Sequence, residues 1–169
     1  MCDVVVKDTS PDPTPTPDPT PDPTPTPTPT PSSDTLPVYR FYNPNNGDHV
    51  YTTNENDKVI LISWGWGYEG VAFYDVGVGN GVPVYRSYNP NTGEHIYTAK
   101  EADYNALPGM GWVNESIAFY AKSSGDTPVY RFFNPNAITG THLYTSNMDD
   151  VTKLTEWGWI YEGICWYAY

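Results

Sequence analysis

The chain has 169 residues, which is enough for one domain of ordinary size, and 38% of them are hydrophobic. Its formal net charge of −12 disfavours DNA, RNA or an anionic membrane surface as a partner. No apolar run approaches the roughly 20 residues that a membrane-spanning helix needs.

The N-terminal part of the chain is dominated by proline. Every second residue from Pro11 to Pro31 is proline, with Thr or Asp between. Such a segment lacks half of its amide donors, so it predicts a semi-rigid polyproline-II spacer and neither helix nor sheet. We therefore expect a stub (residues 1–10), a linker (residues 11–36) and a folded domain (residues 37–169). Because such spacers separate modules of secreted and surface proteins, we expect an extracellular or cell-surface location.

The remainder of the chain is a threefold repeat. The stretches PVYRFYNP, PVYRSYNP and PVYRFFNP begin at Pro37, Pro83 and Pro128. Each is followed by a glycine turn, a histidine, a Gly-Trp pair and a closing stretch that reads YEGVAFY, NESIAFY or YEGICWY. The repeats therefore span about residues 37–82, 83–127 and 128–169.

Each repeat predicts a hairpin, a short helix and a last strand. The opening stretch is rich in β-forming residues, and the stretch after the turn glycine reads as its returning strand. Thr52-x-x-Glu55 and Thr98-x-x-Glu101 predict capping boxes at the start of the helix. Three ββαβ units of this size can bury their apolar faces only against one another. We therefore predict a mainly β (α+β) fold with one short helix per repeat, closed into a pseudo-threefold, β-trefoil-like body, with a three-bladed wheel as the alternative.

These residues also carry a family resemblance. The pattern Val-Tyr-Arg-x-Tyr-Asn-Pro, Gly-Asp/Glu-His-x-Tyr-Thr and Gly-Trp-x-x-Glu-Gly-x-Ala-Phe-Tyr resembles a repeat of unknown function found in secreted and surface proteins, chiefly bacterial and often appended to hydrolases. The resemblance covers residues 37–169. It implies an extracellular accessory module that holds cell wall or polysaccharide, and it implies no activity. The third copy departs from the pattern, because it inserts two residues before Gly140 and has Thr141 where the others have Asp48 and Glu94.

The arginine of each opening strand is predicted to be structural. Strand alternation places Arg40 on one face with Val38 and Tyr42, and the opposite face is predicted to be wetter because the second copy has Ser87 there. A half-buried guanidinium needs a carboxylate, and the glutamate of the closing stretch is present in all three copies. The predicted structural ion pairs are Arg40–Glu69, Arg86–Glu115 and Arg131–Glu162.

The chain has three histidines, one after each turn glycine. A histidine at this position either bonds a carbonyl of the turn or contributes to a shallow polar cup beside an aromatic platform. Trp64 and Trp157 are the candidate platforms, because the second copy has Met110 at that position. The predicted ligand-binding residues are His49, His95, His142, Asp48, Glu94, Asn43, Asn89, Asn134, Trp64 and Trp157.

Metal binding and catalysis are both disfavoured. Three histidines around a threefold axis could bind zinc, but no copy contains His-x-His or His-x-x-x-His, so we predict no metal and no cofactor. An enzyme needs differentiated roles at one site, whereas the polar residues here come in three near-identical sets. We therefore predict no enzymatic activity.

The function predicted from the sequence is multivalent, weak binding of a glycan, either a polysaccharide or a peptidoglycan-type polymer. The alternative is a structural, self-assembling surface protein, because abundant Tyr and Trp also serve protein interfaces. The alternative predicts self-association.

Overall fold

The computed structural model describes residues 35–169, and the predicted stub and most of the predicted linker lie outside this range. The first repeat contains β1 (Pro37–Tyr42), β2 (His49–Thr52), α1 (Glu55–Ser63) and β3 (Gly67–Tyr74). The second contains β4 (Val82–Asn89), β5 (Glu94–Thr98), α2 (Glu101–Ala106), a 3-10 helix (Leu107–Met110) and β6 (Val113–Ala121). The third contains β7 (Pro128–Phe133), β8 (His142–Thr145), α3 (Met148–Glu156) and β9 (Ile160–Tyr167). The predicted mainly β fold with one short helix per repeat is confirmed.

Each repeat forms its own antiparallel sheet of three strands. The strand orders are β2-β1-β3, β5-β4-β6 and β8-β7-β9, so the opening strand of each repeat is central. Both edges of that strand are hydrogen-bonded within its own repeat. The nine strands of the described residues therefore form three small sheets and no closed barrel, unlike the strands of a β-trefoil. No helix among these residues is both long enough and apolar enough to cross a membrane.

The helices begin later than the predicted capping boxes place them. Asn54 is the N-cap of α1, and its side chain accepts a hydrogen bond from the amide of Asn56. Thr52 instead ends β2, where its hydroxyl accepts from the amide of Asn54 and donates to Asp57 at 2.7 Å. The capping-box prediction is wrong because this threonine fixes the turn between strand and helix.

The face of the opening strand opposite Arg40 is buried, so the prediction that it is the wetter face is also wrong. Val38 lies in the central cluster, and Phe41 packs with Val50 and Leu61 beneath α1. Both side chains are fully buried because the strand lies between the shared core and its own helix. Ser87 fits the buried face because its hydroxyl donates to Asn114 Oδ1 at 2.8 Å.

Three buried tyrosines link the repeats. The hydroxyls of Tyr51, Tyr97 and Tyr144 each accept a hydrogen bond from the backbone amide of another member and donate one to its carbonyl. The amide-to-hydroxyl distances are 2.8, 3.0 and 2.9 Å. Burial raises the pKa of all three hydroxyls, so they stay neutral donors.

A second set of backbone hydrogen bonds joins the ends of the closing strands. The amide of Val76 donates to the carbonyl of Tyr120 at 3.1 Å, and the amide of Lys122 donates to the carbonyl of Tyr167 at 2.8 Å. The amide of Tyr169 then donates to the carbonyl of Tyr74 at 3.1 Å. The third repeat therefore bonds to the first as well as to the second.

Candidate functional site: clefts between repeats

The three arginines lie at the contacts between repeats, each beside the glutamate of its own closing strand. The distances from arginine Nε to glutamate Oε2 are 2.8 Å for Arg40–Glu69, 2.7 Å for Arg86–Glu115 and 2.6 Å for Arg131–Glu162. The structure thus brings together the members of all three predicted pairs.

Arg40 has a further partner from the third repeat. Its Nη1 donates to Asp150 Oδ2 at 2.9 Å, while Nε faces Glu69 without forming a well-aligned hydrogen bond. Arg40 therefore bridges two carboxylates that come from different repeats.

The acids beside the histidines reach into the following repeat. Asp48 is 1% exposed and accepts from the amide of His95 at 2.9 Å, while its other oxygen lies 2.6 Å from His95 Nδ1. Glu94 makes related contacts through one oxygen, Oε1, which accepts from the amide of Thr141 at 2.9 Å and lies 2.9 Å from His142 Nδ1. These carboxylates therefore hold neighbouring repeats together and are not presented to a ligand at the surface.

The two acids have different electrostatics. Burial raises the pKa of Asp48 and outweighs the opposing hydrogen bonds from His95. Burial also acts on Glu94, but the hydrogen bonds from His142 and Thr141 outweigh it and lower the pKa of Glu94. Glu94 is thus held as a carboxylate by its partners in the third repeat.

The predicted asparagines close their own turns. The side-chain oxygens of Asn43, Asn89 and Asn134 each accept a hydrogen bond at 3.0 Å from the amide two residues further along the chain. This is the Asx-turn arrangement. The predicted polar cup of histidine, acid and asparagine is therefore replaced by contacts within and between the repeats.

His49 differs from the other two histidines. Its side chain is buried, and Nδ1 has no hydrogen-bond partner among the described residues. The cause is Thr141, which stands where the other repeats have an acid and which bonds to Glu94. Burial, aided by the positive charge of Arg40, lowers the pKa of His49 to about 4. The imidazole is therefore neutral at pH 7.

A cleft of about 280 Å³ lies between the first and second repeats. The first repeat supplies Trp64, Trp66, Leu61 and Asp57, and the second supplies Arg86, His95 and Glu115. We call it the Trp64 cleft. It combines an aromatic wall with an arginine and two carboxylates.

The equivalent cleft between the third and first repeats has a volume of about 400 Å³. The third repeat supplies Trp157, Trp159, Leu154, Asp150 and Lys153, and the first supplies Arg40, Tyr42, His49 and Glu69. We call it the Trp157 cleft. Lys153 occupies the helix position that Ile60 has in the Trp64 cleft, so the Trp157 cleft carries one more positive charge.

The predicted platform tryptophans are at the solvent-facing edges of these clefts. Trp64 is 69% exposed and Trp157 is 67% exposed, although both line a cleft. Met110, at the same position of the second repeat, is 68% exposed. Large exposed aromatic side chains are not needed for the core here, so they are candidates for contact with a ligand.

Sequence reasoning missed the aspartates that face the arginines. Asp57 and Asp150 accept hydrogen bonds from Thr52 and Thr145 at the turns between strand and helix. An aspartate five residues after this threonine occurs in all three copies, with Thr98 and Asp103 in the second. That recurrence was the available signal.

The described residues show no group of three or more His, Cys, Asp or Glu side chains that could hold a metal ion.

Comparison with curated proteins and with solved structures finds no match to the chain. One family model, described as "Domain of unknown function (DUF5648)", matches residues 37–169. Because this match covers most of the chain, the protein belongs to that family of uncharacterised domains.

Proposed function

We propose that this domain is a non-catalytic module that binds a polysaccharide or peptidoglycan-type polymer in the clefts between its repeats. The observation that carries the proposal is the pair of exposed tryptophans, Trp64 and Trp157, each in a cleft that charged side chains also line. Sugar rings have apolar faces that suit an indole and hydroxyl groups that suit charged hydrogen-bonding partners.

The charged side chains that line the clefts fit hydroxyl groups well. In the Trp64 cleft, Glu115 accepts from Arg86 through one oxygen, and Asp57 accepts from Thr52. Carboxylates have further acceptor sites, and a guanidinium has five N–H donors. A sugar hydroxyl can therefore both donate and accept in the cleft. Cleft volumes of about 280 and 400 Å³ are close to the lower end of small-ligand sites, so each cleft holds a short stretch of glycan.

We further propose that the three repeats form a closed, pseudo-threefold body. The reciprocal bonds among Tyr51, Tyr97 and Tyr144 support this arrangement. A rigid closed body holds the two tryptophan clefts at a fixed spacing, which favours simultaneous contact with one polymer and raises avidity. With the Pro-Thr linker, this arrangement suits an extracellular or cell-surface module.

The proposal can be tested by retention of the full chain on insoluble polymers. Purified peptidoglycan, cellulose and chitin would be incubated with the wild type, Trp64→Ala, Trp157→Ala and the double variant. Met110→Ala is the matched control, because Met110 is equally exposed at the same position of the second repeat. We expect each single variant to bind more weakly and the double variant to lose at least tenfold in apparent affinity, since avidity needs both clefts.

The control variant is expected to bind like the wild type. Retention of the wild type on none of the polymers would refute the proposal, and so would equal binding by the double variant and Met110→Ala. Near-ultraviolet circular dichroism of every variant checks that the fold is unchanged.

A second candidate function, self-association, is favoured by one observation. The outer face of α1 exposes Val59, Ile60 and Ile62, whereas the same positions of α3 hold Thr152, Lys153 and Thr155. The core does not require this apolar face, because Leu61 is the buried residue of α1. Light scattering across a range of concentrations tests it. Self-association that Ile62→Thr abolishes supports an assembly role, and a monomer at all concentrations contradicts it.

A further inference from the structure

Departures of the third repeat from the common pattern converge on its contact with the first repeat. The turn formed by residues 134–140 is two residues longer than its counterparts. Thr141 replaces the acid found in the other two repeats, and Lys153 replaces Ile60. All three features lie at or beside the Trp157 cleft and the neighbouring turn.

The longer turn builds a second cavity at this contact. The cavity has a volume of about 510 Å³ and lies between the turns of the first and third repeats, where Asn46, Asn136 and Ile138 are among its lining residues. It shares Tyr42, His49 and Trp159 with the Trp157 cleft. The two cavities therefore adjoin and form one groove, which we call the closure groove.

His49 lines both cavities, and one of its two ring nitrogens is unpaired among the described residues. The residue is 7% exposed, and Nδ1 has no hydrogen-bond partner among the described residues. Nε2 lies 3.5 Å from Glu69 Oε2, which favours the tautomer with the proton on Nε2. In that tautomer Nδ1 is an acceptor, so the group that fits it is a hydrogen-bond donor.

The other two contacts between repeats leave no such acceptor. Asp48 lies 2.6 Å from His95 Nδ1, and Glu94 lies 2.9 Å from His142 Nδ1. A buried polar atom without a hydrogen-bond partner is destabilising, so natural structures rarely leave one unless a bound group satisfies it. Among the three contacts between repeats, only the one beside the closure groove thus has a histidine Nδ1 without a partner among the described residues.

We infer that the closure groove is an extended saccharide-binding site, in which a hydroxyl group of the glycan donates a hydrogen bond to His49 Nδ1 once the side chains that cover this buried atom move aside. The inference rests on the proposed function. It implies that the three contacts between repeats differ in how they bind glycan. A saccharide chain supplies hydroxyl donors and apolar ring faces together, which match His49 and the indoles of Trp157 and Trp159. Because the groove joins cavities of about 400 and 510 Å³, it is larger than the Trp64 cleft and favours long chains over short ones.

The test is calorimetric titration of the full chain with two soluble probes, the dimer and the hexamer of β-1,4-linked N-acetylglucosamine. We expect the hexamer to bind at least tenfold more tightly than the dimer. His49→Phe removes the acceptor, and Thr141→Glu supplies the carboxylate that the other two contacts have. Each should weaken hexamer binding by about threefold to tenfold, which is the equivalent of one hydrogen bond. Met110→Ala, the matched control at the same position of the second repeat, lies in neither tryptophan cleft and should leave the hexamer affinity unchanged.

A second readout separates binding from a purely structural role. The ¹⁵N resonance of His49 Nδ1 should shift when the hexamer is added to the wild type. Thr141→Glu should shift the same resonance without sugar and make it insensitive to the hexamer.

Several outcomes would overturn the inference. These are equal affinity for dimer and hexamer, wild-type affinity in both His49→Phe and Thr141→Glu, and no binding of either probe. If retention on insoluble polymers still depends on Trp64 and Trp157, the proposed function stands and only the closure groove is refuted. If no polymer retains the chain, both fail.

Discussion

His49 is expected to make the domain sensitive to acid. Its buried ring faces Arg40 and Tyr42 from β1, Glu69 from β3 and Asp150 from α3. Burial and the charge of Arg40 lower its pKa from 6.5 to about 4. As the pH falls from 6.5 to 4, the unfolded chain therefore takes up this proton before the folded chain does. The free energy of unfolding decreases through that window, and the loss is complete below about pH 4.

The size of the effect follows from the shift. One pKa unit corresponds to about 1.4 kcal/mol, so this shift lowers the free energy of unfolding by up to about 3 kcal/mol in acid. Most of that loss has occurred by pH 4.5. The assay is urea unfolding, followed by tryptophan fluorescence, at pH 7 and pH 4.5 for the wild type and His49→Phe. The wild type should lose about 2–3 kcal/mol more than the variant between the two pH values. Carboxylates such as Glu94, whose lowered pKa also causes loss in acid, act in both proteins and cancel. An equal loss in the two proteins would refute the reasoning.

Three further predictions concern the scaffold. Arg86→Ala should lower the free energy of unfolding by about 2 kcal/mol. A double-mutant cycle with Glu115→Ala should give a coupling energy of about 1 kcal/mol or more, and full additivity would contradict the ion pair. Ser116 has a φ of 100° where the other repeats have glycine. Ser116→Gly should therefore raise the melting temperature, because it relieves about 1 kcal/mol of backbone strain. A lower melting temperature would refute that account. Tyr97→Phe should lower the free energy of unfolding by about 2–3 kcal/mol, because it leaves a buried amide and carbonyl of Tyr51 unpaired. Tyr42→Phe, at an exposed tyrosine, should leave that free energy unchanged. Similar losses in the two variants, measured by chemical unfolding, would contradict the hydrogen bonds between the buried tyrosines.

Part of this structure could be predicted from the sequence because the three repeats could be compared with one another. The ββαβ order followed from strand propensity, turn glycines and the position of the Gly-Trp pair, all of which are local signals. The exposed positions of Trp64 and Trp157 followed from Met110, because a core position would not readily exchange tryptophan for methionine. The approach of Arg86 to Glu115 followed from the requirement for charge compensation.

Contacts between repeats could not be predicted by comparing the repeats. Asp48 lies directly before His49 in the chain, yet it bonds to His95, 47 residues away. Local adjacency suggested that Asp48 and His49 share one binding site, since nothing in one repeat shows which side chains of the next repeat it meets. The buried environment of Phe41 was missed for a related reason, because a strand that packs on both faces has no polar face to mark it.

The central claim is that the clefts between repeats bind glycan through Trp64 and Trp157. The chain has six tryptophans, so a ¹H–¹⁵N spectrum resolves six indole signals that can be assigned by substitution. Titration with the N-acetylglucosamine hexamer should shift the signals of Trp64 and Trp157 and leave that of Trp166, which lies in the central core, unchanged. Unchanged signals for both cleft tryptophans at saturating hexamer would contradict the account.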